Sequence, residues 1–359
     1  MKRWSWPTMA AGIKGGENVA GLFHRGLIWK EWRYSRWYFL LLFLSVMVEP
    51  VWFPLLVRSF GQESLLAGLS PWAHSVKFII AKGTSTLEVT AMIAVVLLAA
   101  LMMAGERNNG LKFLASTPVS REQILMAKWL TGSLAILACM VGVALYMLGV
   151  VAVEPAAATF SQVLTWWGLT SAALLCLFSL ALMTAALFNG VLYAALLTPV
   201  ILILPVWIMA LGMDLLKKFG LLAVGSWEQA YRLVNYLFFP AYIMGEGWGV
   251  ELELMGGGYL LAIMLLLLAS WLLMRLAGYF FTRNPLERPG EMLLCGNSKQ
   301  WVRIILAFLW APGLASERSG SLGGFLLYFI LFWLVVYVGL GLLWRIMAWM
   351  GLYREGEVG

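Results

Sequence analysis

The sequence predicts an all-α integral membrane protein, and its composition, its apolar runs and its charge distribution support this prediction. Of 359 residues, 62% are hydrophobic and only 12% are charged, whereas an ordinary soluble domain is about 25% charged. The apolar residues form long uninterrupted runs, each near the ~20 residues that a membrane-spanning helix needs. The net charge of +7 comes from basic residues that flank these runs, as expected at anionic headgroups. This composition excludes a soluble enzyme, a disordered tail and a secreted scaffold.

Residues 1–36 are predicted to form a cytoplasmic N-terminal segment that contains an interfacial helix. The segment is rich in Lys and Arg, and its second half carries tryptophan and arginine side chains at helical spacing. Such a pattern is typical of a helix that lies on the membrane surface. The residues that define it are Trp29, Lys30, Glu31, Trp32 and Arg33.

Six apolar runs follow within residues 37–281, and each is predicted to cross the membrane. Their approximate bounds are 37–57, 87–105, 131–153, 167–188, 191–212 and 259–281. Pro50 and Pro54 predict a kink in the first span, and the Asn189-Gly190 turn predicts that the fourth and fifth spans are antiparallel neighbours. The mixed region 213–258 is predicted to form external amphipathic helices.

The C-terminal part is predicted to contain a cytoplasmic amphipathic segment, 282–322, and a seventh apolar helix with a tail, 323–359. Most of the 25 Lys and Arg residues fall on one side of this arrangement, which predicts a multi-pass protein of the cell membrane with a cytoplasmic N-terminus. The charge bias supports a seventh crossing only weakly. The run 323–344 could instead be a re-entrant or peripheral hairpin.

The charged stretch 106–130, between the second and third spans, is the most informative segment. Ser120 is predicted to cap a helix whose first turn carries Glu122. The stretch resembles the coupling loop of the membrane subunit of type-2 ABC exporters. The matching positions are Glu106, Arg107, Gly110, Leu111, Leu114, Pro118, Val119, Ser120, Arg121, Ile124 and Lys128. The Trp29 to Arg33 run is similar to the elbow helix of the same family, and the resemblance covers about residues 22–281.

This resemblance implies a six-span permease fold with an N-terminal elbow helix and external helices between spans five and six. It also implies a two-fold assembly, as a homodimer or a heterodimer, in which each permease binds a separate cytoplasmic ATPase. The coupling contacts would come from the elbow helix and from Glu106, Arg107, Gly110, Leu114, Pro118, Arg121 and Lys128. The seventh apolar helix is a departure, because the family usually ends after six spans.

The chain itself is predicted not to be an enzyme. It has no GxxxxGK[ST] phosphate-binding loop, so ATP and Mg would be bound by the partner subunit and no cofactor is expected here. The two histidines and three cysteines form no recognisable metal motif, and no metal is expected. Besides the ATPase and a second permease, membrane lipid is the expected partner, and nucleic acid is not.

Four residues in the spans are candidates for a substrate path or gate: Glu49, Pro50, Pro199 and Pro205. A carboxylate within a span is costly and tends to face a cavity or a partner, although Glu49 could also be protonated or lie near the interface. The prolines mark either a gate or tolerated kinks. The alternative functions are a non-transporting scaffold or sensor on the same fold, a secondary transporter and, from another class, a membrane-embedded enzyme. The sequence does not identify a substrate.

Overall fold

The computed structural model describes the protein from residue 25 to residue 349, with gaps. The described residues are 25–52, 54–55, 69–82, 86–105, 120–187, 194–202, 204, 207–208, 212, 258–283, 298–318 and 322–349. The predictions that concern residues 1–24, 106–119, 213–257, 284–297 and 350–359, the Asn189-Gly190 turn and Pro205 therefore lie outside the described residues.

Every described element is a helix. In chain order these are α1 (Arg25–Val46), α2 (Pro71–Lys82), α3 (Thr86–Gly105), α4 (Arg121–Val153), α5 (Phe160–Leu187), α6 (194–202), α7 (Gly258–Arg283), α8 (Ser298–Arg318) and α9 (Leu322–Trp349). Four described stretches are long and apolar enough to cross a membrane: Arg121–Val153, Phe160–Leu187, Tyr259–Thr282 and Gly323–Leu343. Two shorter apolar stretches are Val89–Met103 and Leu306–Ala315.

Helix α1 passes through the predicted boundary at 36/37 without a break. One face is buried along its whole length, at Leu27, Glu31, Ser35, Phe39, Leu42 and Val46. The spacing of three or four residues keeps these side chains on a single stripe, which packs on α3 and α4. A π-helical turn, Val48–Trp52, follows at the predicted kink. The predicted interfacial segment and first span are therefore one continuous helix here.

Helix α4 begins ten residues before the predicted third span. Ser120 caps it, since its Oγ accepts from the Gln123 amide at 3.2 Å and the Gln123 side chain accepts from the Ser120 amide at 3.0 Å. This reciprocal pair satisfies two donors that a helix start leaves unpaired. The helix is 33 residues long, or about 50 Å, so it extends beyond a bilayer core of about 30 Å.

We expect Ser120→Ala to destabilise the start of α4, by about 1 kcal/mol, because the capping hydroxyl is lost. Ser120→Asp is the matched control, because aspartate is an equally good cap and favours the positive end of the helix dipole. The measurement is the thermal unfolding midpoint of the purified protein in detergent. Equal losses in both variants would contradict a capping role for Ser120.

Helix α5 is the centre of the bundle. Every residue from Leu169 to Ala186 is buried, because α3, α4 and α7 pack around it. It begins at Phe160, before the predicted fourth span, and Thr159 and Gln162 form a second reciprocal cap there. The close approach of α4 is made at Gly132, where a Cβ atom would lie 2.1 Å from Cζ of Phe178.

A short helix, α2, covers the end of the bundle where α4 meets α5. Ser70 caps it through an Oγ contact to the Ala73 amide at 3.2 Å, and Pro71 occupies its first turn, where proline is favoured. Ser70 also donates from its amide and its hydroxyl to the Glu154 carboxylate, at 3.1 and 2.5 Å. From the sequence, no helix was predicted between the first two spans, so α2 was missed.

Candidate coupling site

The two sequence motifs that suggested ATPase coupling meet at one buried ion pair. The Nζ of Lys128, near the start of α4, lies 2.9 Å from Oε2 of Glu31 on α1. Both side chains are 2% exposed. The same ammonium group donates to the backbone carbonyl of Met102, near the end of α3, at 2.6 Å. One lysine thus joins three helices, and we call this group of three residues the Lys128 clamp.

The periodicity of α1 and α4 explains why these side chains meet. Glu31 lies one turn from Leu27 on the buried stripe of α1, and Lys128 follows Ile124 by one turn on α4. Leu27, Ile124 and Ala127 form a small apolar cluster beside the ion pair, with Ile28 packed against it. Hydrophobic contacts therefore bring the helices together and exclude water from the charges.

Electrostatics makes this position sensitive to the loss of either partner. Removing two opposite charges from water costs several kcal/mol per ion, and only good geometry and further hydrogen bonds offset this cost. Here the Met102 carbonyl supplies a further acceptor for Lys128. The Nζ of Lys30, which is 43% exposed, lies 3.5 Å from the other oxygen of Glu31. Glu31 therefore connects a buried cation and a surface cation.

The remaining elbow residues lie on the opposite, exposed face of α1. Trp29 and Trp32 are each more than half exposed. The Arg33 guanidinium lies 5.3 Å from the Trp29 ring centroid, a cation–π distance. Trp32 contacts Phe39 with a centroid separation of 5.4 Å. This face offers aromatic and cationic groups to a headgroup layer or to a soluble partner.

Arg121 connects the start of α4 to the end of α7. Its Nη1 donates to the backbone carbonyl of Thr282 at 3.2 Å. The other predicted loop residues, Glu106, Arg107, Gly110, Leu114 and Pro118, lie outside the described residues. Of the predicted coupling set, the structure thus places Arg121 at the edge of the bundle and Lys128 inside it.

The predicted substrate-path residues do not belong to the Lys128 clamp. Glu49 and Pro50 lie in the π-helical turn after α1, roughly 28 Å along the helix axis from Glu31. The Pro50 carbonyl accepts a hydrogen bond of 2.7 Å from the Tyr146 hydroxyl of α4. Pro199 is an exposed residue of α6. The side chain of Glu49 lies outside the described part of the chain, so its role stays a prediction.

A polar cluster inside the bundle begins one residue after Lys128. The indole N–H of Trp129 donates to Ser179 Oγ at 2.9 Å, and Ser179 Oγ lies 2.8 Å from Ser270 Oγ. The cluster joins α4, α5 and α7. Hydrogen bonds between membrane helices contribute about 0.6–2 kcal/mol each. Sequence reasoning missed these residues, and the only signal was the presence of serines in otherwise apolar runs.

The comparison with protein families fits this arrangement of spans. Residues 27–205, about half of the chain, match the model described as ABC-2 family transporter protein. The match runs from the third residue of α1 to just past the end of α6, and it thus includes all three residues of the Lys128 clamp. No curated protein and no solved structure matches the chain. Its several apolar helices and this match make it a multi-pass membrane protein, and through residues 27–205 the chain belongs to the ABC-2 family of transporter membrane proteins.

Proposed function

We propose that this chain is the permease subunit of an ABC exporter, which couples ATP hydrolysis on a separate cytoplasmic ATPase to movement of a substrate out of the membrane or across it. The ATPase would hold ATP and Mg, and a second permease, identical or related, would complete the transport path. In this proposal the chain lies in the cell membrane with its N-terminus in the cytoplasm. The Lys128 clamp is the observation that supports a coupling role.

The clamp brackets the predicted coupling loop. Met102 precedes the predicted loop 106–130 and Lys128 lies near its end, and the Lys128 ammonium group joins the two by donating to the Met102 carbonyl. The same ammonium group also binds Glu31 and so connects α1 to α3 and α4. A force applied to residues 106–120 by a soluble partner would therefore move α1, α3 and α4 together rather than α4 alone.

Helix α4 would carry such a movement along the whole bundle. It contacts α1 again near its middle, where a Cβ on Gly142 would lie 3.5 Å from the Phe43 ring. Beyond that, Tyr146 holds the Pro50 carbonyl and Glu154 holds Ser70 at the cap of α2. Polar contacts at both ends of one long helix suit a lever that links the coupling loop to the opposite surface.

The residues then divide into two roles. Arg121 and the loop residues Glu106 to Pro118 would contact the ATPase, with the exposed face of the elbow helix beside them. Lys128 and Glu31 are too buried to contact a soluble partner, so we assign them a positioning role. Glu49, Pro50, Pro199 and Pro205 stay candidates for a substrate path or gate.

Charge reversal at Arg121 tests the proposed contact. We expect Arg121→Glu to reduce co-purification of the ATPase at least tenfold while membrane insertion stays intact, because it reverses the charge at the proposed contact and loses the bond to Thr282. Arg121→Lys is the matched control, since it keeps the charge. The measurement is affinity purification in mild detergent, with mass spectrometry and an ATP hydrolysis assay.

Replacement of residues 118–127 by an unrelated helical sequence, with the buried Lys128 kept, should have the same effect on ATPase binding. Normal co-purification and transport in both variants would overturn this assignment of the loop. Recovery of the wild-type chain alone, without ATPase in several detergents, would instead favour a non-transporting scaffold or sensor.

A further inference from the structure

We propose that α8 and α9 form a helical hairpin inserted in the bilayer, with the exposed surface of α9 covered by lipid acyl chains and the 350–359 tail on the same side of the membrane as the N-terminus. This differs from the sequence-based expectation, which placed residues 282–322 in the cytoplasm as a surface segment. The observations that support the hairpin are the surface of α9, its pairing with α8, the depth of Trp310 and the distribution of charge.

Helix α9 has the length and the surface of a lipid-facing span. Its stretch Gly323–Leu343 has 21 residues and a mean hydropathy of 2.5, and none of its most apolar window is buried in the protein. At helical rise it is about 31 Å long, which matches a hydrocarbon core of about 30 Å. Water is a poor solvent for this surface, so acyl chains are the occupant that its chemistry fits.

Helix α8 lies antiparallel along α9. The Phe308 and Phe329 rings are 5.5 Å apart. Arg303 is nearer the start of α8, and Gly341 is nearer the end of α9. A Cβ atom on Gly341 would lie 3.5 Å from the Arg303 guanidinium. Ala307, Ala311 and Ala315 are fully buried on one side of α8. Because the two helices run side by side, they occupy the same layer.

The contact made by Trp310 indicates that α8 lies within the hydrocarbon layer of the membrane. Its ring lies 5.1 Å from that of Trp207, within the predicted fifth span. Thr198 in the same span bonds Thr184 near the end of α5 at 2.6 Å. Trp207 is itself helical and follows Thr198 by nine residues, which is about 14 Å at helical rise. The contact with Trp310 therefore falls well inside the hydrocarbon layer.

The charges fit a hairpin whose open end faces the cytoplasm. Lys299, Arg303 and Arg345 lie in the parts of α8 and α9 nearest the open end, where α8 begins and α9 ends, and Arg354 follows them in the sequence. Arg318, at the closed end, is next to Glu317 in the sequence. Basic residues concentrate on the cytoplasmic side, and Arg303 is close enough to the interface to extend its head towards it. A single crossing by α9 would instead leave Arg345 and Arg354 outside.

Cysteine labelling in the full-length chain tests the hairpin. Three variants are made in a Cys295→Ser background, each with one added cysteine: Ser5→Cys, Ser321→Cys or Glu357→Cys. Cells are treated with a membrane-impermeant maleimide, either intact or after permeabilisation. We expect Ser321→Cys to react in intact cells, and the other two at least tenfold more after permeabilisation. Reaction of Ser321→Cys on the same side as Ser5→Cys would overturn the insertion of α8. Reaction of Glu357→Cys on the opposite side from Ser5→Cys would show that α9 crosses alone and would overturn the hairpin.

Cross-linking tests the depth of α8 independently. Trp207→Cys with Trp310→Cys should form a disulfide on mild oxidation in membranes, whereas Trp207→Cys with Phe308→Cys should not, because Phe308 contacts α9. Absence of the first cross-link, or equal yields for both pairs, would contradict the proposed packing. Neither experiment depends on an ATPase or on transport, so its outcome is distinguishable from that of the proposed function.

Discussion

Replacing Lys128 with methionine is expected to lower the free energy of unfolding by about 3–5 kcal/mol, the cost of removing one partner of a buried ion pair. The half-exposed Lys30 ammonium, 3.5 Å from the other oxygen of Glu31, would stay beside the carboxylate. Glu31 would stay 2% exposed in its side chain, away from water and without the 2.9 Å ammonium contact. The measurement is the thermal or denaturant unfolding midpoint in detergent. Lys77→Met is the matched control, because Lys77 is an exposed residue of α2.

The double variant Lys128→Met, Glu31→Leu separates stability from coupling. Replacing both charges by apolar groups of similar size is often neutral, so we expect the double variant to be more stable than either single one. If it folds but no longer links ATP hydrolysis to transport, the polar contact itself is needed for coupling. Additive losses, or a Lys128→Met variant as stable as Lys77→Met, would contradict the clamp.

Gly132→Ala is expected to lower the free energy of unfolding by about 1–3 kcal/mol through overpacking. The added Cβ would lie 2.1 Å from Cζ and 2.7 Å from Cε1 of Phe178. The Phe178 ring is completely buried in the central helix, so it has no open space to move into. Small residues permit the close approach of membrane helices. With alanine in place of Gly132, α4 and α5 would have to move apart.

Gly149→Ala is the matched control on the same helix, since nothing lies within 4 Å of a Cβ there. Both changes raise helix propensity by about 1 kcal/mol, and their difference therefore reports the clash alone. Phe178→Leu should partly rescue Gly132→Ala. Equal unfolding midpoints for the two alanine variants would show that α4 and α5 are packed less tightly than the distances indicate.

The sequence predicted Glu31 and Lys128 of the Lys128 clamp as functional residues but did not predict the contact between them. Glu31 belonged to the elbow pattern and Lys128 to the coupling-loop pattern, and they are 97 residues apart. Periodicity shows which residues share a face of one helix, whereas the pairing of two helices depends on packing between distant segments. The third member could not have been found from residue type at all, because Met102 contributes a backbone carbonyl.

Helix ends were predicted best where a capping side chain was recognised. Ser120 was identified as a cap, and the structure confirms it together with a Gln123 partner. Thr159 and Ser70 act in the same way at α5 and α2 but were not recognised, because hydropathy alone defined the predicted spans. The α2 helix shows why this fails, since its buried residues are few and lie among polar ones.

The fully enclosed α5 has a consequence for biosynthesis. Among the four described helices that are long and apolar enough to cross a membrane, it has the lowest mean hydropathy, 2.0, because it carries several hydroxyl-bearing residues. Those residues contact other helices rather than lipid. Of the helices around it, α3 and α4 precede it in the chain, but α7 begins only at Gly258. Until α7 leaves the ribosome, Ser179 has no Ser270 to pair with and one flank of α5 faces acyl chains. A truncated chain that ends before residue 258 is therefore expected to be a target for membrane quality control.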